Sequence, residues 1–258
     1  MKINDVVSLF EKSYSEHIYN VYIPSLKKEF AFKGTNVGLR KSIAKSIISL
    51  NDTDYQITKL GLIKTLCIDN SFSIDSITEI DFISILAQIR NNNVSEPLSL
   101  SIKCSKCSGN FNYDLNFNNI IENCNKYVFN NITKIYNKDI KIEFDIKSPK
   151  IIDIIKLKKY TDDNNIVSAN YDLLKYFLYI NDIKINDECV ENFSKLDITD
   201  KLKLFDNIPD DIIYDNKESL VNTIKDNFSD INNIYDSITC PLCKKNMERV
   251  ITHDTFFI

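Results

Sequence analysis

The sequence predicts an α+β protein in which helices are mixed with short antiparallel strands. Apolar residues recur at helical spacing in several segments, most clearly in residues 76–90. Other segments alternate apolar and polar residues, as residues 98–102 and 140–147 do, and this pattern is typical of strands with one buried face. Two CxxC motifs, at residues 104–107 and 240–243, each lie between two strand-like segments.

Composition and charge narrow the class of protein. The chain has 258 residues, of which 43% are hydrophobic and 26% charged, as expected of a globular protein with a substantial core. A net charge of -4 argues against the broad positive field that drives non-specific binding to nucleic acid or anionic lipid. The N-terminal residues carry no long apolar run, so we expect a cytoplasmic protein whose seven cysteines are reduced.

The first third of the chain predicts a hairpin followed by helices. Alternation around Pro24 indicates strands that end at Gly34, and the polar segment before it, which includes His17, is predicted to be helical. Two helical patterns follow; the first repeats Leu39, Ile43, Ile47 and Leu50, and the second repeats Ile57, Leu60, Ile63 and Cys67. The clearest helix starts with a capping-box pair, Thr78 and Asp81, and its apolar face is Phe82, Ile85, Leu86 and Ile89.

The first CxxC motif is predicted to lie at a hairpin tip. Leu98, Leu100 and Ile102 alternate before it, and Phe111, Tyr113, Leu115 and Phe117 alternate after it. We expect Gly109 to permit the tight turn of this knuckle and Pro241 to constrain the turn of the second one. Residues 149–228 are mostly helical in pattern, with a short strand near residues 182–190, and strand-like segments flank the second CxxC motif.

These patterns divide the chain into four predicted segments. Residues 1–97 form an N-terminal hairpin and helices, and residues 98–148 form the first knuckle hairpin and strands. Residues 149–230 form a helical insertion, and residues 231–258 form a second knuckle hairpin that packs on 98–148. No linker rich in Gly, Pro or Ser separates them, so one compact domain is the other possible organisation.

The two CxxC motifs predict a shared metal site. Two cysteines separated by two residues can occupy adjacent corners of a tetrahedral zinc site, so each motif supplies half of the ligands. The motifs are 132 residues apart and must meet through the fold, with the helical segment inserted between two hairpins of a zinc-ribbon-like module. We therefore predict one structural zinc ion per chain, bound by Cys104, Cys107, Cys240 and Cys243.

Other interpretations of these residues stay open. Each CxxC motif could be a redox dithiol, or its cysteines could be core residues, and His17 or His253 could replace a ligand. The isolated Cys67, Cys124 and Cys189 are predicted to be small apolar core residues. The sequence contains no nucleophile elbow, phosphate-binding loop or HExxH motif, and the pair Asp210–Asp211 is typical of solvated or helix-start positions, so we predict a non-enzymatic protein.

The order of motifs resembles a bacteriophage protein family. A "YIPSLKKEFAFKG" segment, the helix "TEIDFISILAQIR", the motif "CSKC", a helical middle and a terminal "CPLC" before "DTFFI" follow one another along the chain. In this order they resemble the baseplate hub assembly proteins of T-even-type contractile-tailed phages. The loops "PSLKKE" and "NNNVSE" match no firm pattern of that family.

The resemblance implies a role in building the phage tail baseplate hub. Its cysteine pairs correspond to Cys104, Cys107, Cys240 and Cys243, its partners are other hub proteins, and its location is the virion baseplate or the host cytoplasm during assembly. An apolar end, Phe256 to Ile258, could insert into a neighbouring subunit or fold back onto the ribbon.

Two rival functions follow from the same residues. A zinc-ribbon protein that binds nucleic acid would use the basic side chains around the knuckles, which are Lys103, Lys106, Lys244, Lys245 and Arg249. The net charge and the absence of aromatic residues among these lysines argue against it. A zinc-dependent or thiol enzyme would need an open coordination position or a cysteine of low pKa.

Overall fold

The computed structural model describes residues 17–35, 52–127, 129, 131–137, 140–164, 174–190, 193–213, 219–228 and 235–250. The chain forms two compact units. Unit 1 comprises Met1–Tyr127 and Ile231–Ile258, and unit 2 comprises Val128–Asp230. The predicted α+β class with short antiparallel strands is confirmed, because every strand pairing among the described residues is antiparallel.

The described residues of unit 1 form three separate hairpins and three helices. Its elements are β1 (Ile18–Ile23), β2 (Lys28–Lys33), α1 (Asp52–Leu66), a 3₁₀ turn (Ile74–Ser76), α2 (Glu79–Asn93), β3 (Ser99–Lys103), β4 (Asn110–Asp114), α3 (Phe117–Lys126), β9 (Tyr235–Thr239) and β10 (Asn246–Val250). Strand β1 pairs with β2, β3 with β4, and β9 with β10, each as a two-stranded sheet.

Helix α2 is the centre of unit 1. It begins with the predicted capping box, in which Thr78 and Asp81 bond each other's backbone N–H groups. All ten residues from Ile80 to Ile89 are buried, so both sides of the helix are covered and not only the predicted apolar face. It contacts β1 on one side and α3 on another.

Polar side chains of α2 bond the first hairpin. Gln88 accepts a hydrogen bond from the Tyr22 N–H at 2.9 Å and donates one to the Tyr22 carbonyl at 2.8 Å. Asn93 accepts from the Thr35 N–H at 2.6 Å. The opposite edge of the hairpin is also covered, since the Ile68 N–H donates to the Ala31 carbonyl at 3.0 Å. Backbone groups at both hairpin edges therefore have hydrogen-bond partners, the Gln88 side chain at β1 and the Ile68 backbone at β2.

Several predicted positions in unit 1 are corrected by the structure. His17 precedes β1 in a non-helical conformation, and its carbonyl accepts a bond from Gly34 N–H at 2.8 Å. Phe117 does not continue strand β4, because Asn116 caps α3 by accepting from the Asn119 N–H. Ile57 on α1 is 46% exposed, and Leu62 and Leu66 are buried instead. The helix predicted at Leu39–Leu50 lies outside the described residues.

Unit 2 is built on a four-stranded sheet. Its elements are β5 (Ile132–Asn137), β6 (Lys141–Ile146), α4 (Ile151–Asp163), β7 (Ile180–Ile185), β8 (Glu188–Cys189), a 3₁₀ turn (Phe193–Lys195), α5 (Ile198–Phe205), α6 (Asp210–Ile213) and α7 (Leu220–Phe228); residues 174–177 are also helical. The strand order is β5-β6-β7-β8. The predicted alternation is confirmed within β6, since Ile142, Phe144 and Ile146 are buried, but Ile140, the first residue predicted for this face, precedes the strand and is 49% exposed.

The units do not coincide with the predicted segments. The boundary predicted at residue 148 falls inside unit 2, because β6 pairs with β7 across it. The predicted helical insertion therefore also contributes strands to the sheet. Segment 231–258 belongs to the same unit as the first CxxC hairpin. Within the described residues, none of the helices combines the length and the hydropathy that a bilayer crossing needs.

Asp81 is expected to be a main determinant of the stability of unit 1. Its buried carboxylate accepts from the Ser25 N–H at 2.9 Å, from the Thr78 N–H at 2.8 Å and from both hydroxyl groups of those residues. Asp81→Ala leaves these donors buried without an acceptor, and we expect the opening free energy of α2 to fall by about 3 kcal/mol. Hydrogen exchange of the α2 amides measures this change.

The control is Asn116→Ala, which removes an exposed cap of α3 that accepts a single bond. This substitution is expected to lower the opening free energy of α3 by about 1 kcal/mol. Equal effects of the two substitutions on α2 exchange would contradict the role assigned to Asp81.

Candidate metal centre

The two CxxC motifs form the same backbone turn. In the first, the Cys104 N–H donates to the Gly109 carbonyl at 2.9 Å, and the Ser108 N–H donates to the Cys104 carbonyl at 2.9 Å. In the second, the Cys240 N–H donates to the Lys245 carbonyl and the Lys244 N–H donates to the Cys240 carbonyl, both at 2.9 Å. Each motif therefore lies at the tip of its hairpin, β3–β4 or β9–β10, as predicted.

The tight turn depends on Ser108 and Lys244, not on Gly109. Ser108 has φ 57° and Lys244 has φ 60°, the left-handed region, whereas no described glycine has a positive φ. Gly109 lies where the two tips are close together, since a Cβ atom built on it would overlap Leu242 Cδ1 of the other hairpin. Leu242 is a flexible and exposed side chain that can turn away, so the close approach of the tips does not require a glycine at this position.

Four cysteine sulfurs converge where the tips meet. The Sγ atoms of Cys104 and Cys243 are 3.6 Å apart, and those of Cys107 and Cys240 are 3.8 Å apart. All four sulfurs lie within 4.8 Å of one another. A tetrahedral ion with metal–sulfur bonds of about 2.3 Å has sulfur–sulfur edges of about 3.8 Å. The cluster therefore fits a single tetrahedral metal ion, and its sulfurs are too far apart for disulfide bonds.

The cluster has a buried side and an exposed side. Cys104 and Cys240, the first residues of the two motifs, are almost completely buried, whereas Cys243 is half-buried and Cys107 is exposed. Behind the buried pair, β9 contacts α3, which in turn contacts the central helix α2. The candidate site thus joins the second hairpin to the main body of unit 1.

Electrostatics within the cluster favour a bound cation. Backbone N–H groups of Cys107 and Lys106 lower the pKa of the Cys104 thiol to about 6. The Gly109 N–H lowers the pKa of the Cys107 thiol, but desolvation and the three neighbouring sulfurs oppose it and raise that pKa to about 11. The Cys104 sulfur thus ionises readily, whereas the Cys107 sulfur resists a second negative charge in the cluster. A metal cation removes this conflict, because it binds all four as thiolates.

Lysines surround the hairpin tips. Lys103, Lys106, Lys244 and Lys245 are all exposed. The Lys245 ammonium lies 3.1 Å from the Ser105 hydroxyl of the other hairpin, which is a second link between the tips. Leu242 is 63% exposed beside them. The side chain of Arg249, the fifth predicted basic residue, lies outside the part of the chain that is described.

The remaining cysteines and the described histidine are not part of the cluster. Cys124 is fully buried on α3, as predicted for a core residue, and Cys67 is half-buried after α1. Cys189 is exposed on the edge strand β8, so the prediction that it is a core residue is wrong. His253 and the apolar end Phe256–Ile258 lie outside the described residues. Asp210 and Asp211 begin α6, one of the two positions predicted for them.

Comparison of the chain with protein-family models, with curated proteins and with solved structures found no match. The phage-family resemblance of the sequence therefore stays a prediction. The properties of the cysteine cluster rest on its own geometry.

Thiol labelling should separate the seven cysteines into classes. In metal-loaded protein we expect Cys189 to react with a maleimide first, because it is exposed. The four cluster sulfurs should become reactive only after a chelator is added. Burial, with a smaller contribution from the Asp81 charge, raises the pKa of Cys124 to about 12, so this thiol should react only on unfolding.

Mass spectrometry of peptides labelled with and without chelator measures these rates. The informative residue is Cys107, because its exposure alone predicts fast labelling. If it reacts as fast as Cys189 in metal-loaded protein, it does not bind the metal.

Proposed function

We propose that the chain is a non-enzymatic structural or assembly protein of a phage tail baseplate hub, with a structural zinc ion bound by Cys104, Cys107, Cys240 and Cys243. The observation that supports the metal site is the convergence of the four sulfurs within 4.8 Å. The order of sequence motifs supports the hub assignment. The two parts of the proposal rest on different observations and are tested separately.

Zinc is the ion that the ligand set favours. Four thiolates in a tetrahedral arrangement bind either zinc or an iron–sulfur centre. A closed site that holds a single ion between two CxxC hairpins is typical of structural zinc. Four thiolates occupy all four positions, which leaves no place for a water or a substrate. This closed coordination supports a structural rather than a catalytic role.

The structural role is supported by the way in which the two hairpins are connected. Each CxxC hairpin is a separate two-stranded sheet, and such a sheet is marginally stable by itself in water. The segments that carry them are separated by 132 residues, which include unit 2. A metal ion that joins both tips closes this long loop and anchors the second hairpin to unit 1. A fixed shape of this kind suits a protein that docks onto partners.

One zinc ion per chain is the expected content of the purified protein. Cys104→Ser and Cys240→Ser should each abolish tight binding, since each leaves three thiolates of a shared site. Cys189→Ser, which changes an exposed cysteine outside the cluster, should retain one zinc ion. Native mass spectrometry gives the stoichiometry, and elemental analysis distinguishes zinc from iron.

Loss of only part of the metal in each cluster variant, or two ions in the parent protein, would show separate sites on the two motifs. Retention of the metal in both cluster variants would exclude these cysteines as ligands. Neither result depends on the hub assignment.

The hub assignment is tested by binding. Zinc-loaded protein should co-elute with purified baseplate hub proteins of a T-even-type phage in size-exclusion chromatography at physiological salt. The exposed lysines at the hairpin tips favour nucleic acid as the alternative partner, through phosphate contacts. Duplex and single-stranded oligonucleotides are therefore run as parallel samples.

A charge-reversal variant, Lys106→Glu with Lys244→Glu, distinguishes the two partners. Nucleic-acid binding that is lost in this variant would support the alternative function. Co-elution with a hub protein and no retention of oligonucleotides would support the proposed function, and its absence with every hub protein would refute it.

A further inference from the structure

Unit 2 contains a cavity with a positively charged lining. It has a volume of about 220 Å³ and lies at the start of α4. Three lysines line it, Lys147, Lys150 and Lys201, together with Ser148, Asn181 and Asp153. Three lysines and one aspartate leave two net positive charges there. Because the whole chain carries a net charge of -4, this local excess does not follow from a basic composition.

The ammonium group of Lys201 is partly removed from water. Burial lowers the pKa of this side chain, Asp153 raises it and Lys156 lowers it. Among the described residues no carboxylate forms an ion pair with Lys201, and its Nζ instead lies 5.1 Å from the centre of the Phe193 ring. Asp153 is 3.9 Å from Lys156, with which it forms an ion pair. A partly desolvated cation of this kind is stabilised by an anion in the cavity.

Neutral donors accompany the lysines. The hydroxyl oxygen of Ser148 is buried and has no hydrogen-bond partner among the described residues. No side chain caps the N-terminus of α4, a helix of 13 residues that begins beside the cavity. Its first N–H groups carry the partial positive charge of the helix dipole. Hydroxyl and N–H donors next to ammonium groups are the combination that recognises an oxyanion.

A second cavity adjoins the first. Its volume is about 520 Å³, and it shares Asp153, Leu178 and Lys201 with the lysine-lined cavity. Leu196 and Ile198 add apolar surface to its lining, which also contains Lys156, Lys195 and Asp197. A molecule with an oxyanion in the first cavity would therefore have apolar side chains within reach in the second. That arrangement fits a molecule with an anionic end and an organic body.

We propose that the lysine-lined cavity of unit 2 binds the phosphate group of a small phosphorylated organic molecule, whose organic part occupies the adjoining cavity. A phosphate monoester carries between one and two negative charges at neutral pH and matches the two net positive charges of the lining. Its several oxygens can accept from lysine and serine donors together, beside the positive end of the α4 dipole. This proposal is independent of the metal site and of the hub assignment.

Isothermal titration calorimetry of the full-length, zinc-loaded protein tests the proposal, with inorganic phosphate and phenyl phosphate as probes at constant ionic strength. Both should bind saturably, and phenyl phosphate should bind more tightly because its ring also contacts the apolar side chains of the adjoining cavity. Lys201→Gln and Lys150→Gln should each weaken phenyl phosphate binding by about tenfold or more, as expected for a lost charge-assisted hydrogen bond.

The matched control is Lys203→Gln. Lys203 is on the same helix as Lys201, is exposed and pairs with Asp200 at 2.9 Å, and it does not line the cavity. Binding by this variant should stay within about twofold of the parent protein. Hydrogen exchange of unit 2 shows whether the Lys201→Gln variant remains folded. Lys150 is exposed, so the Lys150→Gln variant should fold normally and still tests the cavity if Lys201→Gln does not fold.

No saturable binding of either probe would overturn the proposal. So would an equal loss of affinity in the Lys203→Gln control, because binding would then reflect surface charge in general. Equal affinity for the two probes would overturn the assignment of the adjoining cavity to an organic group.

Discussion

The approach of four sulfurs to within 4.8 Å is the constraint on which unit 1 depends, because this unit is made from two pieces of chain. The second piece contributes only the β9–β10 hairpin to the described structure, and a two-stranded sheet cannot bury a core of its own. The position of this hairpin therefore depends on its contacts with the rest of the unit. Cys240 is buried at the cluster, Ile238 is buried, and β9 contacts α3. The hydrogen bond between Lys245 and Ser105 is a further contact between the two tips.

The rest of unit 1 is organised around a helix that is buried on all sides. A polar side chain on such a helix needs a hydrogen-bond partner within the protein. The polar side chains of α2 find these partners in the first hairpin. Asp81 bonds the turn at Ser25, Gln88 bonds the edge of β1, and Asn93 bonds the Thr35 N–H after β2. Buried polar groups are tolerated when their bonding is satisfied, and satisfied networks define one arrangement of neighbouring elements. Hydrophobic packing alone would specify the hairpin position less sharply.

The sequence predicted those features whose signal is local. Both CxxC hairpins, the capping box of α2 and the buried face of β6 are encoded within a few residues, and the structure confirms them. Helix α3 was missed because Phe117 continues the alternation of β4, and only the cap at Asn116 marks the change of structure. Strand β5 was missed because Ile135, its central apolar residue, is exposed and breaks the pattern of a one-sided strand. The pairing of β6 with β7 across residue 148 is a long-range contact that no local pattern contains.

The chain has a negative net charge but contains local groups of lysines. The net charge alone therefore does not predict which anionic partners the chain can bind. A net charge of -4 argues against non-specific attraction to anions over the whole surface. Yet exposed lysines gather at the hairpin tips of unit 1, and a separate group lines the cavity in unit 2. At physiological ionic strength charges are screened beyond about 8 Å, so a bound group responds to the residues that line its site.

Partly buried charges are screened less than exposed ones, and Lys201 is partly buried whereas the lysines of the tips are exposed. For this reason the cavity of unit 2 is the stronger candidate for binding a small anion, whereas the tip lysines are better suited to a large partner that contacts many of them at once.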